Sequence, residues 1–470
     1  MGNPLAFHAR VCYTCGEIKA GAMPVSSSVK GDTMSSYRIA DDLYRSPLRE
    51  AVLYQLSLRS FTEEGTLKAA EEKLPHIAAL GVDMIYLTSL SKADPYPDPA
   101  YFSRRQTEAG TGNPKNPYRI CDHEHVDPEY GTDDDLKDFI KKAHSLGLKV
   151  MHDLVYLHCG PGEFVEKHPA FVKRNDAGEV IYNSWHFPIL NYENPALKEY
   201  LWDNMVYWAT EFDFDGFRCD VGDCVPLDFW HEGIRRVRAV KPNFPMVLEG
   251  ENPVYMVEDF DVAYSFGWAD AIRNLIRGAW NHHYLRGAYE GGRAKHPDET
   301  LTLRLYENHD YVNDSYDDRL DKKYSERVDA AIVLNFTLDG VPLLYCGNEL
   351  CDSRRHSIFS LPESGMSVDW SLAETEKGQA RCALVRELCR LRHTEKVLTH
   401  GETVWEKDKD LIRITRTYGN ETVCACFNFS GAAISIPCPT GEVLLSARTE
   451  TRDGTLTLSD AGYYITKTQA

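Results

Sequence analysis

The sequence predicts an α/β fold: a (β/α)8 barrel with a short insertion after its third strand and a C-terminal all-β sandwich domain. Eight short apolar runs alternate with amphipathic helical patterns. Past Lys396 the texture changes to short β runs parted by turn residues. Polar residues close several of the eight runs, at the end of the strand where a barrel keeps its chemistry. A doubly wound sheet would share the alternation, but eight units suit closure better.

Residues 1–36, including "MPVSSSVKGDTMSS", lack periodicity and read as a flexible lead. "AVLYQLSL" is the first strand. "TLKAAEEKLPHIAALG" reads as one amphipathic helix ending at Gly81, followed by the second strand, "DMIYLTSL". "TDDDLKDFIKKAHSLG" has Thr132 as its N-cap, acids in its first turn and a stop at Gly147. "LKVMHDLVYLH" is the third strand, and 158–191 forms the short inserted subdomain. "DFDGFRCDV", "PMVLEGE", "FDVAYSF", "TLRLYENHD" and "VPLLYCGNE" supply strands four to eight, with a helix at "LDFWHEGIRRVRAV". The barrel is expected over 37–395. The sandwich is expected over 396–470, where "DKD", "YGNE" and "SG" punctuate β runs. No repeat or low-complexity tract interrupts the pattern.

At 470 residues the chain can bury an ample core. Fifty-two basic against 71 acidic residues give a net charge of −19, which argues against nucleic acid and anionic membranes as partners, since both demand a basic face. Eight Trp, 26 Tyr and 18 Phe fit stacking on pyranose rings, although most belong to the core. Thirteen cysteines are scattered without framework spacing, and neither a signal-like start nor a membrane-length apolar run is present. The expectation is a soluble cytoplasmic protein. Cys12 and Cys15 lack a second pair and make a weak zinc motif. Cys219, Cys224, Cys346 and Cys351 read as small apolar filling.

The run ends carry the chemistry. The third gives Asp153 and His158, the fourth Arg218 and Asp220, the fifth Glu249 or Glu251, and the seventh His309 and Asp310. Arg218 and Asp220 stand two apart on a strand, so both emerge on one face, where the guanidinium can hold the carboxylate ionised. Three acids, two histidines and an arginine around one mouth suit glycoside hydrolysis. That reaction needs one carboxylate to attack the anomeric carbon and one protonated carboxyl to serve the leaving oxygen. Crowding by neighbouring acids would raise the glutamate's pKa.

In this order "DLVYLH", "DGFRCD", "VLEGE" and "YENHD" resemble the signature segments of the α-amylase family of glycoside hydrolases. "GVDMIYLTSL", "PYRICDHEHVDPEYGTDDDLKDFIKKAHSLGLKV" and "GVPLLYCGNE" resemble its second-strand, pre-third-strand and eighth-strand stretches. The resemblance runs from the first strand through the C-terminal sandwich. It implies a retaining α-glycosidase that hydrolyses α-glucosidic bonds, above all α-1,4, in maltooligosaccharides or starch-like glucans by double displacement. It assigns Asp220 as nucleophile and Asp310 as transition-state stabiliser. Arg218 would position Asp220, while His158 and His309 would contact sugar hydroxyls. Tyr118, in a Y-x-x-x-D pattern with Asp122, would be the stacking platform, and Asp153 a structural partner of Arg218. For the general acid, spacing from Pro242 favours Glu249; Glu251, directly after Gly250, is the alternative.

The pattern departs in places. Leu157 stands where the family usually has an asparagine that binds calcium, and leucine offers no oxygen to a hard cation. No cofactor is therefore expected; the usual calcium site would be missing, and calcium elsewhere stays open. "VGDC" replaces the lysine–histidine pair of many secreted starch-degrading relatives, and the insertion is short, so short or branched maltooligosaccharides come into view. A transglycosylase or isomerase on the same scaffold is the alternative activity. A catalytically silent sugar-binding barrel is a remote one, because all three acids are present. The expected partner is an α-glucan, with the oligomeric state open.

Overall fold

The computed structural model describes residues 46–257, 259–297, 300–314, 319–362, 364–408 and 410–469. The expected N-terminal lead and the Cys12–Cys15 motif lie outside them. Eight parallel strands close into a barrel: β1 (Leu53–Leu56), β2 (Met84–Leu87), β3 (Lys149–Leu154), β4 (Gly216–Cys219), β5 (Met246–Leu248), β6 (Val262–Ala263), β7 (Leu301–Arg304) and β8 (Val341–Tyr345). Their order is β1-β8-β7-β6-β5-β4-β3-β2. The strands are apolar on both faces because both faces are covered. Leu53, Met84, Met151, Val247 and Leu343 fill the interior, while Tyr54, Ile85, Val150 and Phe217 pack against the helices outside.

Local signals set most helix limits. Thr132 caps the helix Asp133–Ser145 through a capping box with Asp135, and Gly147 follows in the left-handed region (φ +81°) that a helix exit favours. The long helix expected over "TLKAAEEKLPHIAALG" is instead two, Leu67–Glu71 and Leu74–Ala79. Pro75 is the cause. It has no amide to donate and crowds the residue before it, so it is tolerated only in the first turn of a new helix.

The third apolar run outlasts its strand. β3 ends at Leu154, and the chain then crosses the barrel's C-terminal rim to His158, which forms a β-bridge with Ile189. The segment 158–191 between them holds a short helix, Glu163–Lys167, and bridges Val172–Leu190 and Tyr182–Pro188.

The C-terminal part is an antiparallel sheet of β9 (Glu402–Trp405), β10 (Ile412–Tyr418), β11 (Glu421–Phe427), β12 (Ile434–Pro437), β13 (Glu442–Arg452) and β14 (Thr455–Gln469). The order is β9-β10-β11-β14-β12, with β13 also on β14. The β13–β14 pair shifts register between Ala447 and Thr449, and Arg448 and Ala461 there have φ of 55° and 60°. One face, with Ile412, Ile414, Val423, Phe427 and Ile465, joins the main core. On the other, Cys426 and Tyr464 pack with Leu456 and Leu458 from the first half of β14, so the sheet folds over itself into two layers. Arg416, fully buried, donates to the carbonyls of Thr337 (2.8 Å), Leu398 (3.0 Å) and Gly401 (2.8 Å), which fastens the sheet to the barrel.

Candidate active site

Parallel register puts Asp153 of β3 beside Arg218 of β4, and Arg218 beside Val247 of β5. Arg218 is fully buried and is the hub. Its Nη1 donates to Asp153 Oδ1 (2.6 Å) and Asp220 Oδ1 (2.9 Å), and its Nη2 lies 2.7 Å from Glu249 Oε2. The rings of Tyr86 and Tyr264 flank the guanidinium, with centroids at 6.0 and 5.6 Å. The second oxygen of Asp153 accepts from the hydroxyls of Tyr86 (2.9 Å) and Tyr118 (3.0 Å). Asp153 is thereby saturated by protein groups. Asp220 keeps an oxygen without a partner of that kind, at the mouth.

Glu249 also accepts from the amide of Val221 (2.6 Å). Burial pushes its carboxyl up to about 6, reinforced by the charge of Asp310 and opposed by Arg218. Burial likewise pushes Asp220 well above the usual carboxylate range; Glu249 adds to this and Arg218 opposes it. Asp310 behaves otherwise. Its burial is outweighed by His309 and by Arg105, whose Nη1 donates to Asp310 Oδ1 at 2.6 Å, and its pKa falls to about 2. Four carboxyls thus face two guanidinia, and burial, reinforced by mutual repulsion, favours the protonated form of the Asp220–Glu249 pair.

His309 is buried, which lowers its pKa. Gln55 Nε2 donates to its Nδ1 (2.8 Å), so the proton sits on Nε2 and points at the Tyr118 hydroxyl (2.7 Å). That hydroxyl in turn donates to Asp153, so one chain of hydrogen bonds runs from β1 to β3. The Tyr118 and His309 rings stack, 5.5 Å apart at 16°. His158 is kept neutral by burial, its pKa brought down to about 3. Its Nε2 donates to the Tyr118 carbonyl (3.0 Å), and Asn183 Nδ2 approaches Nδ1 (3.4 Å).

Asp220, Glu249, Asp310, Arg218, His309, Tyr118 and His158 are therefore gathered at one rim. Glu251 is not among them: its Oε1 accepts from the Phe266 amide (2.8 Å), and its Oε2 faces Lys295 at 3.5 Å. Sequence reasoning missed Arg105, Gln55, Tyr86 and Asn183. Arg105 sits in a helix of six residues with no motif around it, and the other three show only as polar residues in apolar surroundings. Cys219, Cys346 and Cys351 are buried free thiols, as expected of filling, whereas Cys224 is disulfide-bonded. Leu157 is buried, and among the described residues no group of three or more His, Cys, Asp and Glu side chains could hold a metal ion.

The barrel is closed and parallel, and three carboxyls converge on its C-terminal rim. The alpha-amylase catalytic-domain family model matches residues 31–187. A cyclomaltodextrinase of Geobacillus thermopakistaniensis is 26% identical over 412 residues, covering 80% of this chain and 64% of the relative. The intracellular maltogenic amylase of Bacillus subtilis is 25% identical over 402 residues, covering 77% of this chain and 62% of the relative. This chain thus spans somewhat under two thirds of the length of these curated relatives. In structure, an alpha-amylase from Lactobacillus plantarum superposes with a TM-score of 0.74 at 23% identity, covering 90% of this chain and all of that one. The matched segment and these relatives make the chain similar to members of the α-amylase family of glycoside hydrolases.

Proposed function

We propose that the protein is a retaining α-glycosidase that hydrolyses α-glucosidic bonds, principally α-1,4, in maltooligosaccharides or starch-like glucans. One observation carries the reading: Asp220 and Glu249 contact different nitrogens of the same planar guanidinium. Carboxyls tied to one guanidinium favour the short spacing of retaining enzymes (about 5–5.5 Å) over the wider one of inverting enzymes (about 6.5–9.5 Å).

In this mechanism Asp220, in its ionised form, attacks the anomeric carbon while Glu249, in its acid form, gives its proton to the departing oxygen. The bond to the leaving sugar breaks as the glycosyl–Asp220 ester forms. Glu249, now ionised, takes a proton from water, whose oxygen displaces Asp220. Asp310, held ionised, binds ring hydroxyls and favours the oxocarbenium-like transition state. Tyr118 stacks on the sugar. His158 and His309 hold Tyr118 in place, through its carbonyl and its hydroxyl respectively. No metal or other cofactor enters this scheme. A soluble, cytoplasmic setting is proposed on the free thiols that predominate among the described cysteines, Cys224 apart; no helix of the described residues is long and apolar enough to cross a membrane.

The test is colour release from an aryl α-maltoside, with intermediate trapping by a fluorinated glycosyl donor. The reading requires release by the wild type, loss in Asp220→Asn, and a mass increment on the peptide bearing Asp220. Equal rates for the two proteins, or an adduct on another side chain, would overturn it.

A further inference from the structure

Arg105 reaches Asp310 from a strap running from the end of β2 to Tyr118. The strap's short helix, Arg104–Ala109, is capped by Ser103 and released by Gly110 in the left-handed region (φ 71°). Both flanks are fastened. Towards the segment after β8, Asn113 Nδ2 donates to the Ser360 carbonyl (3.2 Å), and Ala109 joins Ile358, Phe359, Tyr118 and Val155 in an apolar cluster. Towards the insertion, His186 Nδ1 lies 3.2 Å from the Phe102 carbonyl. Beneath, the buried Arg119 donates to the carbonyls of Tyr101 (3.1 Å) and Tyr96 (2.8 Å). The strap is therefore a fixed wall between two neighbouring walls, and Arg105 is its tip.

Resting on the glycosidase reading, we propose that Arg105 is a specificity-determining residue: by gripping Asp310 it closes the sugar site on the side opposite Glu249, and turns the cleft into a pocket that admits a glucan only by its non-reducing end. Glu249 serves the leaving oxygen, so the chain beyond the broken bond lies on its side. Asp310 meets the ring hydroxyls on the other. A guanidinium there can serve the terminal sugar's hydroxyls.

The experiment compares maltoheptaose, the same oligosaccharide blocked at its non-reducing end, and a cyclic maltooligosaccharide, using wild type, Arg105→Ala and Arg105→Lys. The wild type should cleave the free-ended substrate and spare the other two. Arg105→Ala should raise the blocked-to-free ratio of kcat/KM by about tenfold or more, and Arg105→Lys, which keeps charge and length, should change it less. Wild-type cleavage of the blocked or the cyclic substrate as fast as the free one would overturn the proposal, as would an unchanged ratio in Arg105→Ala. Wild-type silence on all three, and on an aryl α-maltoside, would bring down the glycosidase reading itself.

Discussion

The amide of Val221 donates to the carboxylate of Glu249 at 2.6 Å, and it does so from a left-handed backbone (φ 43°) that a β-branched residue seldom adopts. Strain of this kind persists only where the surroundings enforce it. Here the turn after β4 aims Glu249 at the site, whereas Glu251 is spent on Phe266 and Lys295. Glu249→Gln should therefore lower kcat/KM on an aryl α-maltoside by about 10²–10⁴-fold, the usual worth of a general acid. Glu251→Gln should retain most of it. Steady-state kinetics of the two variants decides the assignment.

The pH profile follows from the same carboxyl. Glu249 is raised from 4.5 to about 6, so its acid form persists there, and kcat/KM should fall as pH rises through about 6. For stability, the raised group contributes below about pH 4.5 and loses that contribution as pH climbs through 6. Asp310, lowered from 3.8 to about 2, works in the opposite sense: its contribution is present above 3.8 and is lost as pH falls through 2. Glu249→Gln should thus remove part of the decline in thermal stability between pH 4.5 and 6. An unchanged slope in pH-dependent melting would contradict this.

Asp220→Asn should abolish turnover, by a factor on the order of 10⁴ or more. It should not destabilise the fold. Burial and Glu249 both disfavour the Asp220 charge, and the amide removes that repulsion while keeping the shape. Thermal melting at neutral pH should give a midpoint at or above that of the wild type. A clear drop would mean that Arg218 needs this carboxylate for stability.

Behind the seventh strand, Arg319 bridges Glu307 (3.0 Å) and Asp352 (3.2 Å), Asn348 donates to Glu307 (3.1 Å), and His356 contacts Asp352 (2.8 Å). Glu307 stands three residues before Asp310, so the network anchors the turn that carries it. Removing Arg319 takes from two buried carboxylates the guanidinium they share. Arg319→Ala should cost about 3–5 kcal/mol in denaturant titration, the range for breaking a buried ion pair.

A chelator should leave activity intact, because Leu157 brings no oxygen and the mechanism assigns no step to a metal. Inactivation by chelator with recovery on adding calcium would contradict this.

The barrel was legible because its signals are periodic. Strands buried on both faces read as unbroken apolar runs, and Thr132 and Gly147 mark a helix through chemistry confined to a few residues. Where one residue overrides a pattern, legibility failed: the long apolar face of "TLKAAEEKLPHIAALG" hides what Pro75 does to it. The hub was legible because Arg218 lies on a strand and Asp220, two residues on, directly follows its end. The grip of Arg105 on Asp310 was not, since 205 residues separate them and no local spacing encodes the loop that joins them. Glu249 and Glu251 differ only in where a turn aims them. That is a matter of backbone angles at Val221, which composition does not reveal.

The fastening of the C-terminal sheet by Arg416 also bears on how freely the chain can be cut or recombined. Ile414, Val423, Phe427 and Ile465 share one continuous apolar interior with the barrel's outer helices. Ending the chain near His400 would therefore bare a greasy flank and leave the carbonyls of Thr337 and Leu398 without their buried donor. The two lobes are thus a single cooperative unit in which the non-catalytic lobe cannot be swapped like a cassette.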